Sequence, residues 1–221
     1  MTPAGKPVGL VILASGRGTN MQAILEAVRT GAIPAPIRAV ISNDPNAAAL
    51  KHADAAGIPT EIFPHRDYPT REAFDQTLAR AIDRYDPQLV VLAGFMRILS
   101  ADFIRHFQDR LINIHPSLLP EFPGLRTHER ALAAGAKRHG ATVHFVTPEV
   151  DAGPIIIQAA VPVLPNDTTD SLAARVLKEE HRIYPLAIRW YIEGRLTVRD
   201  RQVMLDGAVR LEQGLVASTS S

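Results

Sequence analysis

The stretch VGLVILASGRGTNMQAILEAVR, residues 8–29, passes from a short apolar run through a polar loop with two glycines into apolar residues at helical spacing. Val8–Ala14 suits a buried strand, and Asn20–Arg29 a helix that Gly31 stops. Strand, glycine loop and helix in that order open an α/β sheet. The same alternation continues outward. Strands are expected at Ile37–Ser42, Thr60–Phe63, Leu89–Ala93 and Leu111–His115. Between them fall helices at Ala47–Ala56, Thr70–Tyr85 and Ser100–Phe107, the last with Ser100 as its cap. Repeated β-α order predicts a doubly wound, mostly parallel sheet with helices on both faces, a Rossmann-like α/β fold.

Pro116, Pro120, Pro123 and Gly124 then break the pattern with a rigid loop. Beyond it the expected elements are a helix at Thr127–Ala134, strands at Ala141–Phe145 and Ile155–Val163, and a long helix at Asp170–Tyr191 disturbed at Pro185. A terminal hairpin is expected from Leu196–Arg199 and Gln202–Leu205. Residues 1–207 read as one domain and 208–221 as a flexible tail.

Composition narrows the function classes. Of 221 residues 46% are apolar and 21% charged, an ordinary globular balance. The 24 basic and 23 acidic residues leave a formal charge of +1, so no net field points to nucleic acid. With no cysteine, disulfides, thiolate metal sites and cysteine nucleophiles are excluded, and a cytoplasmic setting is expected. The apolar run Leu89–Met96 is far short of the roughly 20 residues of a membrane span. Lys6 followed by Val8–Ala14 resembles a signal peptide only faintly and reads better as the first strand.

Two groups of residues could carry chemistry. Ser15–Asn20, between strand and helix, allows backbone amides and a helix dipole to meet a phosphate, or is simply a tight turn. A dinucleotide fingerprint wants a glycine where Met21 stands, which speaks against NAD. Asn113 and His115, two apart on a strand, share a face. An amide donor beside an imidazole suits the oxyanion of acyl transfer; an Asn and a His satisfied by loop backbone is the plainer alternative. A carboxylate such as Asp151 beside His115 would favour the imidazolium, but spacing alone does not show that they meet.

The runs Asn113-Ile114-His115-Pro116-Ser117-Leu118-Leu119-Pro120 and Asp151-Ala152-Gly153-Pro154-Ile155-Ile156 resemble the paired signature of transferases that use 10-formyltetrahydrofolate. From Val8 to about Gly207 the chain is similar to the stand-alone phosphoribosylglycinamide formyltransferase family, including the Gly-x-Gly-Thr-Asn loop, Gly94–Leu99, Phe122-Pro123-Gly124 and Glu179-Glu180-His181. The resemblance implies Asn113, His115 and Asp151 as the catalytic trio, with Thr142 in support. It implies Gly18, Thr19 and Asn20 at the phosphate of glycinamide ribonucleotide and Glu180 at its ribose. It implies a folate site of Arg71, Met96, Arg97, Ile98 and Leu99, with Asn113 and the segment Thr147, Pro148, Glu149, Val150 and Asp151. At least one of Met96, Ile98 and Leu99 is expected to be core instead. Arg17 receives no role, and His144 and His181 are as easily structural.

The implied reaction is formyl transfer to the glycyl amine in purine biosynthesis, with small-molecule substrates, no metal, no nucleic acid, no membrane, and a monomer or homodimer. Two relatives with the same formyl chemistry are disfavoured. A methionyl-tRNA formyltransferase would add a carboxy-terminal domain, and a formyltetrahydrofolate deformylase an amino-terminal one. A non-catalytic nucleotide-binding module would make the joint presence of Asn113, His115 and Asp151 a coincidence.

Overall fold

The computed structural model describes residues 9–208. Val8 and, beyond Ala208, the expected tail lie outside the described residues. The chain forms two compact units, Met1–Asn113 and Ile114–Ser221.

The first unit alternates β1 (Leu10–Leu13), α1 (Thr19–Arg29), β2 (Ile37–Ser42), α2 (Ala48–Ala55), β3 (Thr60–Ile62), α3 (Arg71–Asp83), β4 (Leu89–Leu92) and α4 (Ala101–His106). It ends in β5 (Leu111–His115), which runs on into the second unit. β1 pairs in parallel with β2 and β4, β2 with β3, and β4 with β5. All four residues of β1 and of β4 are buried, the mark of strands covered on both faces. Helix ends follow local chemistry. Thr70 caps α3 by accepting from the Ala73 amide, and Ser100 caps α4 by accepting from Phe103. Phe74, Leu78, Ala81 and Ile82 form the buried stripe of α3.

The second unit holds α5 (Thr127–Ala133), β6 (Arg138–Phe145), β7 (Ile155–Pro162), α6 (Thr169–Ile192) and the hairpin β8 (Leu196–Arg199) with β9 (Gln202–Leu205). β6 and β7 pair antiparallel, and α6 packs on both. Within the first unit the strand order is β3-β2-β1-β4-β5, all parallel, and within the second β6 lies beside β7, the mostly parallel α/β arrangement that the sequence predicts.

Two elements differ from expectation for physical reasons. α6 is continuous through Pro185, because buried Ile183, Tyr184, Ala187 and Ile188 flank the proline and offset a penalty of about 3 kcal/mol. β6 starts at Arg138 rather than Ala141: Gly140, which weakens a strand as read from sequence, is required here by close approach. A Cβ at 140 would lie 2.0 Å from the Ala159 carbonyl oxygen.

The added part of β6 carries His139, which is 1% exposed, with Nε2 3.1 Å from His128 Nδ1. Burial above all, then the charges of His128 and His115, push its pKa down to about 4. The ring is therefore neutral in the fold but titrates near 6.5 when unfolded, so its contribution to stability is complete above that value and is lost as pH falls towards 4. Over that interval the difference amounts to about 3 kcal/mol. In urea unfolding, His139→Asn should flatten the dependence of stability on pH between 6.5 and 4 by close to one proton relative to the parent. Parallel slopes would show that His139 titrates in the fold as it does unfolded.

Candidate active site

In the first unit the strand order reverses at β1, and the loops after β1 and β4 meet at this switch point, where open α/β sheets bind ligands. Gly18 has φ 74°, and a Cβ there would lie 2.8 Å from Ala49 Cα, so only glycine fits. It is the N-cap of α1 and offers no side chain to the first-turn amides, nor does that turn contain an acidic residue. Those amides, at Thr19, Asn20 and beyond, suit an anion.

Ser15 opens the expected phosphate loop Ser15–Asn20, and beyond that expectation it ties the two loops together. Its amide donates to the Gly94 carbonyl at 3.1 Å and its hydroxyl accepts from the Met96 amide at 2.8 Å. The same hydroxyl donates to Asn43 Oδ1 at 2.5 Å. A serine beside glycine reads as a turn residue, and a partner so distant in sequence leaves no local signal.

The segment after β4 splits by environment. Met96 and Ile98 are 71% and 64% exposed, whereas Leu99 is buried and belongs to the core. Arg97 sits over the Phe74 ring at 5.7 Å, and Arg71, at the start of α3, is exposed with Glu72 at 3.4 Å. Asp75 fixes the far end of this segment. Its Oδ2 accepts from the Ser100 amide at 2.6 Å, and burial raises its pKa against the opposing effects of that bond and of Arg71 and Arg97. A cavity of about 230 Å³ lined by Asp75, Ser100, Phe103 and His106 lies nearby but contains none of the expected site residues.

In the second unit His115, at the end of β5, is brought to Asp151, with Nδ1 3.4 Å from Oδ2 and both side chains at most 10% exposed. Asp151 adopts φ 53°, a left-handed conformation uncommon outside glycine and asparagine-like residues. Its turn closes tightly, since a Cβ at Gly153 would lie 1.7 Å from the Phe145 carbonyl oxygen. The Gly124 amide donates to Asp151 Oδ2 at 2.8 Å. His115 Nε2 is 3.1 Å from the Phe122 carbonyl; a carbonyl only accepts, so Nε2 carries a proton. Nδ1 is left facing the carboxylate at a distance too long for a short hydrogen bond. Asn113 precedes His115 by two residues on β5 and is partly exposed.

His144 lies on the other side of the carboxylate, with Nε2 3.8 Å from Asp151 Oδ1 and Nδ1 donating to the Phe145 carbonyl at 2.9 Å. Burial lowers its pKa, opposed by that hydrogen bond and by the Asp151 charge, so it is the neutral neighbour of the pair. The buried Thr142 hydroxyl donates to the Ser117 carbonyl at 2.6 Å and accepts from the Leu119 amide at 3.1 Å. It clamps the loop after His115. Thr147 donates to the Glu149 carbonyl at 3.1 Å, and Pro148, Glu149 and Val150 are exposed. Glu180 on α6 is buried, against the usual fate of a helical carboxylate. Among the described residues no group of three His, Cys, Asp or Glu side chains could hold a metal ion.

The chain is 49% identical to the phosphoribosylglycinamide formyltransferase of Escherichia coli K12 over 210 residues, 95% of this chain and 99% of that one. The solved phosphoribosylglycinamide formyltransferase of Coxiella burnetii superposes with a TM-score of 0.90 at 51% identity, covering 96% of this chain and 99% of that one. A formyltetrahydrofolate deformylase from Pseudomonas syringae shares the fold at 28% identity and a TM-score of 0.84, with 91% of this chain covering 66% of that one. Residues 8–188 match the family described as formyl transferase, and the chain belongs to that family.

Proposed function

We propose that this chain transfers the formyl group of 10-formyltetrahydrofolate to the glycyl amine of glycinamide ribonucleotide, releasing tetrahydrofolate and formylglycinamide ribonucleotide in purine biosynthesis. The observation that carries the reading is the buried His115–Asp151 pair, at 3.4 Å, in a chain nearly half identical to a full-length phosphoribosylglycinamide formyltransferase.

The free amine attacks the formyl carbon, and the carbonyl electrons move to its oxygen. Asn113 and the Nδ1 proton of His115 receive that oxyanion, while Asp151 balances the charge on the ring. The proton lost by the attacking nitrogen passes, through water, to N10 of the folate as the carbon–nitrogen bond breaks. No covalent enzyme intermediate and no metal is needed. We assign the nucleotide phosphate to Gly18, Thr19 and Asn20, its ribose to Glu180, and the folate to Arg71, Met96, Arg97, Ile98 and the segment 147–151. The polar ends and exposed apolar side chains of these groups support the assignment. Leu99 lends shape from the core, and Thr142 acts by holding the loop after His115. A cytoplasmic location fits a chain without cysteine.

Incubation with 10-formyltetrahydrofolate and three separate acceptors tests the reading. Rapid formylation of glycinamide ribonucleotide, with slow release of formate in water alone and no product on methionyl-tRNA, is expected. Formate release that is as fast without the nucleotide would mark a deformylase instead.

A further inference from the structure

The tripeptide Phe122-Pro123-Gly124 touches both His115 and Asp151 through its backbone: the Phe122 carbonyl accepts from His115 Nε2 at 3.1 Å and the Gly124 amide donates to Asp151 Oδ2 at 2.8 Å. This strap sets which ring nitrogen of His115 is committed and where the carboxylate stands. Its conformation is not one the chain adopts freely, because Phe122 has φ 51°, a left-handed value that is costly for an aromatic residue. Something must hold it. One candidate is the side chain of Arg130, projecting from α5: its guanidinium donates to the carbonyls of Pro123 and Leu125 and lies over the Phe122 ring at 5.7 Å. The ring's other neighbour is buried His139, edge-on at 5.9 Å. Phe122 is thus gripped between a cation and an imidazole, and the carbonyls on either side of Gly124 both accept from one nitrogen, Nη1, of the planar guanidinium.

We propose that Arg130 is a positioning residue for formyl transfer. It acts through the strap, holding the Phe122 carbonyl on His115 Nε2 so that Nδ1 is the nitrogen presented to the developing oxyanion, and holding the Gly124 amide on Asp151 so that the carboxylate faces that nitrogen. This rests on the assignment of His115 and Asp151 to catalysis. The side chain is exposed, so its removal leaves the core untouched. Without the guanidinium the strap relaxes from its left-handed turn, the Nε2 anchor weakens, and the ring samples orientations and a tautomer in which Nε2 lacks its proton and Nδ1 is no longer held toward the reacting oxygen. The effect falls mainly on the chemical step, because the groups Arg130 touches directly, Phe122, Pro123 and Leu125, are assigned to neither substrate.

The experiment pairs steady-state kinetics with nitrogen NMR of the imidazoles in the full chain. Arg130→Met should lower kcat about tenfold, with KM for both substrates within about twofold, since small displacements of a catalytic group cost about this much or more. The ring nitrogen signals of His115 should move away from those of a protonated, hydrogen-bonded Nε2, and the melting temperature should stay within a few degrees of the parent. Arg130→Lys keeps the charge but loses the planar guanidinium that both stacks on Phe122 and donates to the two carbonyls, so it should recover part of kcat and part of the His115 signal. A kcat within twofold of the parent in Arg130→Met, or unchanged His115 nitrogen signals, would overturn the proposal. His115→Asn separates this from the underlying catalytic assignment. If that variant is inactive while Arg130→Met behaves as the parent, the strap fails alone; if His115→Asn keeps full turnover, the catalytic assignment fails and the role of Arg130 falls with it.

Discussion

Asp151→Asn is expected to lower kcat by about 10³–10⁴ while leaving the fold intact, the scale seen when a carboxylate that orients and charges a catalytic imidazole is made neutral. The substitution isolates charge unusually well at this position. Asp151 sits at φ 53°, and asparagine tolerates that region at least as readily as aspartate, so the turn has no reason to open. The amide oxygen of Asn can go on accepting the Gly124 N–H that Oδ2 accepts at 2.8 Å, and the new NH2 faces the neutral ring of His144, whose Nε2 is 3.8 Å from Oδ1. What is lost is the negative charge 3.4 Å from His115 Nδ1, in a site where both side chains are at least nine-tenths buried and screening is weak. The measurement is single-turnover formylation alongside thermal melting. A rate within tenfold of the parent at unchanged melting temperature would remove Asp151 from the chemistry and leave it a loop residue.

How far the sequence carried this picture depends on whether side chains or backbone do the work. The opening β-α unit and the fully apolar β4 were readable because burial on both faces demands unbroken apolar runs. The shared face of Asn113 and His115 follows from strand periodicity alone. The meeting of His115 with Asp151 does not: it depends on how β6, β7 and the turn at 151–153 fold back, and only the resemblance suggested it. The strap is less legible still. Its contributions are a carbonyl and an amide, groups every residue but proline possesses in full, so nothing in the identity of Phe122 or Gly124 announces the contact beyond a motif shared with relatives. Ser15 is similar, a side chain whose partners Asn43, Gly94 and Met96 are joined only by the sheet. Continuity of α6 through Pro185 went unread because local propensity opposes it and only packing on β6 and β7 overrides it.

Asn113→Ala should lower kcat by about 10²–10³ and leave KM for both substrates nearly unchanged, the loss typical of one oxyanion donor. The split between the two constants depends on what the amide meets before and during reaction. A planar formyl oxygen in the bound substrate carries little charge, so an amide donor gains little from it; the tetrahedral intermediate places a full negative charge there, and the same donor then stabilises it strongly. An interaction stronger in the transition state than in the ground state shows in kcat. The strand survives the change, because β5 is held by backbone pairing of Asn113 with Leu92 and by the buried Leu111, Ile112 and Ile114, none of which involves the amide. Exchanging one strand residue for alanine costs on the order of 1 kcal/mol or less. Asn113→Asp sharpens the test, since it keeps the size but sets an acceptor, negative when ionised, where an anion must form. It should be at least as inactive as the alanine variant. Steady-state kinetics on both, with circular dichroism to check the fold, decide the matter: a rise in KM with kcat preserved would make Asn113 a binding residue, and an Asn113→Asp enzyme as active as the parent would show that no oxyanion develops at this position.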